Sequence, residues 1–340
     1  MTFRQAAVVG STAWGTTLAV LLARNGLPVT LLARTPEEAA RLEAAREHVI
    51  RLPGAIFPES MHVTADTAAL REAVLVCLAP PAQTMRTNVQ AVASYVPADS
   101  TVLSASKGIE IATGFRMSEI LADALPGRPT ATLSGPNLSR EVAAGLPGTT
   151  VIASANADLD ALRSAFHSSA FRVYTSDDIV GVELGGSLKN IFAITGGLVD
   201  ALGYGDNAKA AVLTRGLAEM SRLGVAAGAD PLTFQGLAGI GDLIATAYSI
   251  LSRNRRLGEL LGRGYTLDAA LAEIGETAEG AATTPAALGL ARSLGVELPI
   301  TEGLHGIMYE SIAPQVVVEA LLHRDPKPER HPLPTTRRPP

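Results

Sequence analysis

The chain of 340 residues is 47% hydrophobic and 18% charged, with a formal net charge of -5. That length is about twice a usual domain, so two domains are expected, and the acidic balance excludes a general nucleic-acid binder, which needs a basic face. The single cysteine, Cys77 in AVLVCLAP, excludes an internal disulfide and reads as buried strand filler. No secretory signal precedes the first glycine turn, and no apolar run reaches the roughly 18 residues of a membrane span. A cytoplasmic protein is therefore expected. The six histidines show no ligand spacing, so no metal site is expected.

Along the chain, QAAVVG (5–10) predicts a strand, and WGTTLAVLLARNG (14–26) predicts a helix closed by Asn25-Gly26. PVTLLAR (28–34) is the next strand, and PEEAARLEAAREHV (36–49) is helical, with Pro36 in its first turn. Further strands are expected at 73–80, 101–108, 130–135, 149–155 and 171–176, with helices at 82–94, 115–124 and 157–166 between them. Such alternation implies a mostly parallel sheet with helices on both faces. Near residue 178 the pattern becomes almost wholly helical: 178–201, 207–226, 231–236, 254–263, 266–274, 283–294 and 303–322. The expected organisation is an α/β Rossmann-type domain over 1–178, an all-α domain over 179–323, and a disordered Pro-rich and charged tail over 324–340.

VVGSTAWG (8–15) places Gly10, Thr12 and Gly15 at the three positions of a Gly-x-Gly-x-x-Gly turn. Between a first strand and a first helix, that turn aims backbone N–H groups and the positive helix end at a pyrophosphate. The middle residue, where a bare backbone usually approaches the phosphate, is Thr12. The second strand ends on Arg34 rather than on an acid, which suits a ribose 2′-phosphate and hence NADP over NAD. Downstream, SRNRRLGELLGRG (252–264) offers Ser252 as an N-cap, with Arg253, Arg255 and Arg256 in the first turn. Cations there oppose the helix dipole, so an anion sharing the site is expected.

SASKG (104–108), SGPNLSRE (134–141), VELGGSLKNIFAI (182–194), TRGLAEMSRLG (214–224), LAGIGDL (237–243), SRNRRLG (252–258) and PITEGLHGIMY (299–309) together resemble bacterial NAD(P)-dependent glycerol-3-phosphate dehydrogenase. The resemblance runs in order from about residue 5 to 322. It implies that Lys189 is the catalytic lysine with Asn190 beside it, that Lys107 touches substrate and cofactor, and that Asp242 is an active-site carboxylate with Thr246 a turn further on. It implies a substrate-phosphate clamp of Ser252, Arg253 and Asn254, Arg253 also approaching the cofactor, and substrate contacts at Gly135 and Asn137. Ser139, Thr277 and Glu279 match cofactor contacts, as do Ala13, Trp14 and Arg34. Two departures stand out: the family's Gly-Ala-Gly-Ser-Trp/Tyr-Gly is Gly-Ser-Thr-Ala-Trp-Gly here, and Asn137 replaces a small hydroxyl residue.

The chemistry is coherent. Hydride transfer to a ketone builds negative charge on oxygen, which a positioned ammonium stabilises and then protonates. Burial favours the neutral amine, whereas Asp242, if close, favours the ammonium and orients it; Asp242 could equally cap the helix beginning LIATAYS. The leading expectation is NAD(P)-linked interconversion of sn-glycerol 3-phosphate and dihydroxyacetone phosphate. Its alternatives are a paralogue acting on a different phosphorylated or phosphonylated ketone, and a non-catalytic nucleotide-binding sensor. The partner expected is a small phosphorylated substrate, with no nucleic acid and no membrane. A homodimer is the assembly considered, although the sequence does not set the oligomeric state.

Overall fold

Aliphatic and β-branched runs make the strands of the first half. They are β1 (Ala6–Val9), β2 (Val29–Leu32), β3 (Met61–Thr64), β4 (Leu75–Leu78), β5 (Thr101–Ser104), β6 (Thr130–Ser134), β7 (Gly148–Ala153) and β8 (Phe171–Ser176). This computed structural model describes residues 3–323 and 328, so the tail expected over 324–340 lies outside the described residues apart from Pro328. The strands form one eight-stranded sheet in the order β3-β2-β1-β4-β5-β6-β7-β8. Every neighbouring pair is parallel except β6–β7. Side chains alternate between its faces: Ala6 and Val8 join one apolar cluster with Leu18, Leu22 and Phe166, while Ala7 and Val9 join another with Met85, Val89 and Ile120. Cys77 lies in the first of these clusters and is fully buried, which pushes its thiol far up, as befits packing rather than chemistry.

The helices of this half are α1 (Ala13–Arg24), α2 (Pro36–Ala45), α3 (Met85–Val92), α4 (Met117–Ala124), α5 (Ser139–Ala143) and α6 (Leu159–Phe166). They belong, with the sheet, to one compact unit, Met1–Lys107 with Phe115–Ile179. β1 is the point where strand order reverses, β2 lying on one side of it and β4 on the other. The crevice beyond the ends of β1 and β4 is where ligands settle in such sheets.

The second unit takes in Gly108–Gly114 and the chain from Val180 onward, and its described residues are mostly helical. Its helices are α7 (Ile179–Ala201), α8 (Gly205–Ala226), α9 (Asp242–Tyr248), α10 (Arg253–Gly262), α11 (Leu267–Ile274), α12 (Glu279–Leu294), α13 (Pro299–Tyr309) and α14 (Pro314–Leu322). Ile109 joins its core beside Leu184, Leu188 and Phe192. Glu219 on α8 accepts from the N–H groups of Ile300 and Thr301 at 2.7 and 3.2 Å, and so caps the start of α13; burial pushes its carboxyl up to about 7. No helix among the described residues is long and apolar enough to cross a membrane.

Several elements depart from the expectations. The short edge strand β3 is additional to the strands expected, because MHVT offers only four residues of in-out alternation. The helix expected over 36–49 stops at Ala45, where Arg46 takes a left-handed φ of 51° with no glycine to signal it. Its guanidinium then donates to the carbonyls of Pro58 and Met61 at 2.6 and 2.8 Å, holding the loop that leads into β3. The helix expected over 303–322 is two, α13 and α14, divided at Ser311 (φ 57°) with Pro314 opening the second.

Candidate active site

In the first unit the turn after β1 is built from what its residues lack. Gly10 has a φ of 106°, and a Cβ on Gly15 would overlap the Gly10 carbonyl oxygen, so neither accepts a side chain. Thr12 is the N-cap of α1: its Oγ1 accepts from the Gly15 N–H at 3.0 Å and donates to the Ala79 carbonyl at 2.9 Å. The hydroxyl thus ties the helix start to the end of β4. One of the first-turn N–H groups is consumed, while those of Ala13 and Trp14, which helix geometry leaves without an intrahelical partner, still point outward. The Trp14 indole N–H is buried with no hydrogen-bond partner. A bare glycine cradle and a buried donor in want of an acceptor fit a dinucleotide. Thr12→Gly is expected to destabilise the fold by about 1 kcal/mol through the lost cap and strand link, read by thermal unfolding. It should change the Kd of NADPH and NADH by one common factor, since the pyrophosphate is shared. Unequal factors would show that Thr12 acts beyond the turn.

At the end of β2, Arg34, Glu37, Glu38, Arg41, His48 and Arg51 line a cleft of about 320 Å³. Glu38 reaches back: its carboxylate accepts from Ser11 Oγ at 2.9 Å and from the Arg34 N–H at 3.3 Å. The His48 ring lies 3.1 Å from the Ser11 carbonyl, and burial, followed by the neighbouring Arg51 charge, lowers its pKa. The cleft therefore offers guanidinium groups suited to a 2′-phosphate and carboxylates suited to ribose hydroxyls. Glu38 and Arg41 lie three residues apart on α2, which follows Arg34 directly, whereas His48 and Arg51 come after the Arg46 turn.

Further along, the Lys107 ammonium donates to the Gly135 carbonyl at 2.8 Å. Gly135 is extended past what a side chain allows (φ 144°) and lies against Thr149 and Thr150. Asn137 holds this loop to β7, donating to the Thr149 carbonyl at 2.9 Å and accepting from the Thr150 hydroxyl at 3.1 Å. Both ends of its amide are engaged by the protein. Ser139 opens α5, and its carbonyl accepts from the Thr17 hydroxyl at 3.3 Å, which docks α5 on α1.

In the second unit α7 is buried along almost its whole length, because LGGSLKNIFAITGG is apolar or small apart from Lys189 and Asn190. A Cβ on Gly185 would stand 2.7 Å from the Ala238 carbonyl oxygen, so the bare glycine lets that backbone come close. One helical turn beyond each of these residues, Lys189 meets Asp242. The Lys189 Nζ donates to Asp242 Oδ1 at 2.9 Å and to Thr246 Oγ1 at 2.5 Å, and the Thr246 hydroxyl donates to Asp242 Oδ1 at 3.2 Å. The lysine and aspartate side chains are 7% and 3% exposed. Asp242 is not an N-cap: a π turn, Leu237–Gly241, runs straight into α9 and leaves its backbone helical. Its carboxylate serves the ammonium instead.

Next to this pair, Asn254 donates to Asn190 Oδ1 at 2.8 Å and accepts from the Gly280 N–H at 3.0 Å. The starts of α10 and α12 are thereby stitched to α7, bringing Glu279, the first residue of α12, into the same neighbourhood; Thr277 is exposed just before it. Ser252 caps α10 as expected, accepting from the Arg255 N–H at 3.1 Å. The arginines behave differently from the expectation. Each has a carboxylate of its own: Arg253 with Glu276 at 3.0 Å, Arg255 with Asp200 at 3.2 Å and Glu259 at 2.8 Å, Arg256 with Glu273 at 3.1 Å. Their cost at a helix start is answered by the protein, so it does not by itself demand an anion. The Arg253–Glu276 pair is about half exposed (49% and 47%), open to exchange of its carboxylate for another anion.

Comparison with known proteins places these observations. Residues 5–160 match the family model described as the NAD-dependent glycerol-3-phosphate dehydrogenase N-terminus, and 178–319 the corresponding C-terminus. A glycerol-3-phosphate dehydrogenase [NAD(P)+] of Chlorobium luteolum is 46% identical over 95% of this chain and 99% of its own. One from Streptomyces griseus is 45% identical over 96% and 98%. The crystal structure of glycerol-3-phosphate dehydrogenase from Coxiella burnetii superposes with a TM-score of 0.91 at 36% identity, covering 94% of this chain and 99% of that one.

Proposed function

The chain belongs to the NAD-dependent glycerol-3-phosphate dehydrogenase family, and from that premise we propose that it interconverts sn-glycerol 3-phosphate and dihydroxyacetone phosphate, with Lys189 acting on the carbonyl oxygen. The observation that carries this reading is the buried Lys189–Asp242–Thr246 set. When bound, the dinucleotide supplies the hydride to the ketone carbon, or takes it from the alcohol carbon in reverse. Lys189 stabilises the charge that develops on oxygen and hands over a proton, so that ketone, hydride and proton give the alcohol. Asp242 and Thr246 hold the ammonium in place and limit its rotamers. Lys107, steadied by the Gly135 carbonyl, is assigned to substrate and cofactor alike, and the loop of Gly135 and Asn137 to the substrate end.

Arg253, with Ser252 and Asn254, is assigned to the substrate phosphate, which would take the place of Glu276 on its guanidinium. Asn190 supports that clamp through Asn254. On the cofactor side Gly10, Thr12, Ala13, Trp14 and Gly15 form the pyrophosphate turn, with Ser139, Arg253, Thr277 and Glu279 assigned to the remainder of the dinucleotide. Steady-state assays of dihydroxyacetone phosphate with NADPH and with NADH test the reading. Turnover is expected with both, and its absence with both would overturn the assignment.

The cleft at the end of β2 supports a preference for NADPH, because Arg34, Arg41 and Arg51 line it. A charged hydrogen bond contributes roughly 1.5–3 kcal/mol. Arg34→Ala is accordingly expected to lower the NADPH-to-NADH ratio of kcat/KM by about tenfold or more. An unchanged ratio would remove Arg34 from cofactor choice.

A further inference from the structure

We propose that Asp200 is a positioning residue for the phosphate clamp, acting through Arg255; this rests on the assignment of Ser252–Asn254 to the substrate phosphate. One carboxylate oxygen of Asp200, near the end of α7, accepts from Lys209 Nζ of α8 at 2.7 Å and from Arg255 Nε of α10 at 3.2 Å. The second arm of Arg255 is paired with Glu259 at 2.8 Å. The Lys209 ammonium, 5% exposed, also lies 4.2 Å from the centre of the Tyr248 ring at the end of α9. A single charged node thus joins α7, α8, α9 and α10, and three of these carry the assigned groups: Lys189 and Asn190, Asp242 and Thr246, and Ser252–Asn254.

Helix geometry says what the node does. Successive residues of an α-helix turn by about 100°, so Arg253 and Arg255 point roughly 200° apart around α10. Arg255 therefore cannot share an anion with Arg253. Arg256, three residues on from Arg253, returns to the same side, and both pair with acids flanking the end of α11, Glu273 and Glu276. Holding Arg255 on Asp200 sets the rotation of α10 and so turns Arg253 and Asn254 toward their side. The backbones beneath leave little other choice of distance: a Cβ on Gly197 would overlap the Arg255 carbonyl, and one on Gly258 the Ile194 carbonyl. Close packing fixes how near α10 lies to α7, and the charged node fixes which way its first turn faces.

The test is the ratio of kcat/KM for dihydroxyacetone phosphate to that for dihydroxyacetone, which isolates the phosphate contribution from the carbonyl chemistry. Asp200→Asn is expected to lower this ratio by roughly ten- to a hundredfold, mainly through KM for the phosphorylated ketone. The activity on dihydroxyacetone should change little. Glu259→Gln, a milder change on the other arm of the same guanidinium, is expected to lower the ratio about threefold and serves if the Asp200 variant does not fold. Equal losses on the two ketones would mean that Asp200 only stabilises the fold, and would overturn the proposal. A higher ratio in Glu259→Gln would overturn it too, by showing that Arg255 itself takes the phosphate once released. If the unsubstituted enzyme turned over neither ketone with either dinucleotide, the assigned reaction would fall, and this proposal with it.

Discussion

Lys189→Ala is expected to lower kcat for ketone reduction by about four orders of magnitude. Loss of one donor aimed at a developing oxyanion costs roughly 10²–10³, and loss of a positioned proton donor roughly 10²–10⁴. The two roles reside in one ammonium and are not independent, so the combined loss falls toward the low end of the product of the two factors. Affinity for NADPH should hold, because the turn of Gly10 to Gly15 lies in the other compact unit. Single-turnover absorbance at the reduced nicotinamide and equilibrium binding of NADPH give the two readings. Near-normal turnover would show that Lys189 is a structural cation. The Thr246 hydroxyl, which donates to Asp242 at 3.2 Å in the unsubstituted protein, is kept in this variant and limits the burden of a carboxylate that has lost its lysine.

The second large effect is on stability. Asp242→Ala removes the carboxylate that pairs with the buried Lys189 ammonium, and breaking a buried pair from one side costs roughly 3–5 kcal/mol. Chemical unfolding should show that loss, together with collapse of activity. The double variant Lys189→Met with Asp242→Leu removes both charges, and it should be far more stable than the sum of the single losses. A single-variant loss below about 1 kcal/mol would place the pair among solvated ion pairs, contrary to its burial. Such a pair is an expensive way to stabilise a helix crossing. Its presence in the middle of an apolar helix is in keeping with a chemical duty for the ammonium.

Much of this protein was legible along the chain because the signals concerned are local. Strand and helix alternation up to residue 176, the glycine turn, the Ser252 cap and the long buried α7 all follow from residues a few positions apart, where backbone geometry leaves few choices. Lys189 is marked by the family resemblance and lies in what the sequence predicts as a long, mostly apolar helix. Asp242 is a partial case. The family resemblance marks it as an active-site carboxylate, while along the chain it could equally cap the following helix, until the π turn sets its backbone as helical.

What the sequence by itself determined is the α/β-then-α order of the chain, the dinucleotide-type turn and a family resemblance that names a set of polar residues. Only the tertiary structure decided the pairings. Asp242 lies 53 positions from Lys189 and Glu276 lies 23 from Arg253, and no local periodicity reaches that far. The same holds for Thr12, whose hydroxyl finds the Ala79 carbonyl 67 positions away and so becomes a brace at a position where such turns usually have a bare backbone. Arg46 and Ser311 bend the chain without glycine, because contacts made elsewhere, such as the Pro58 and Met61 carbonyls on Arg46, offset the left-handed strain. Local geometry chooses among a handful of backbone shapes. Which charges then meet depends on how closely two helices cross, and glycines such as Gly185, Gly197 and Gly258 set that distance only once both helices are in place.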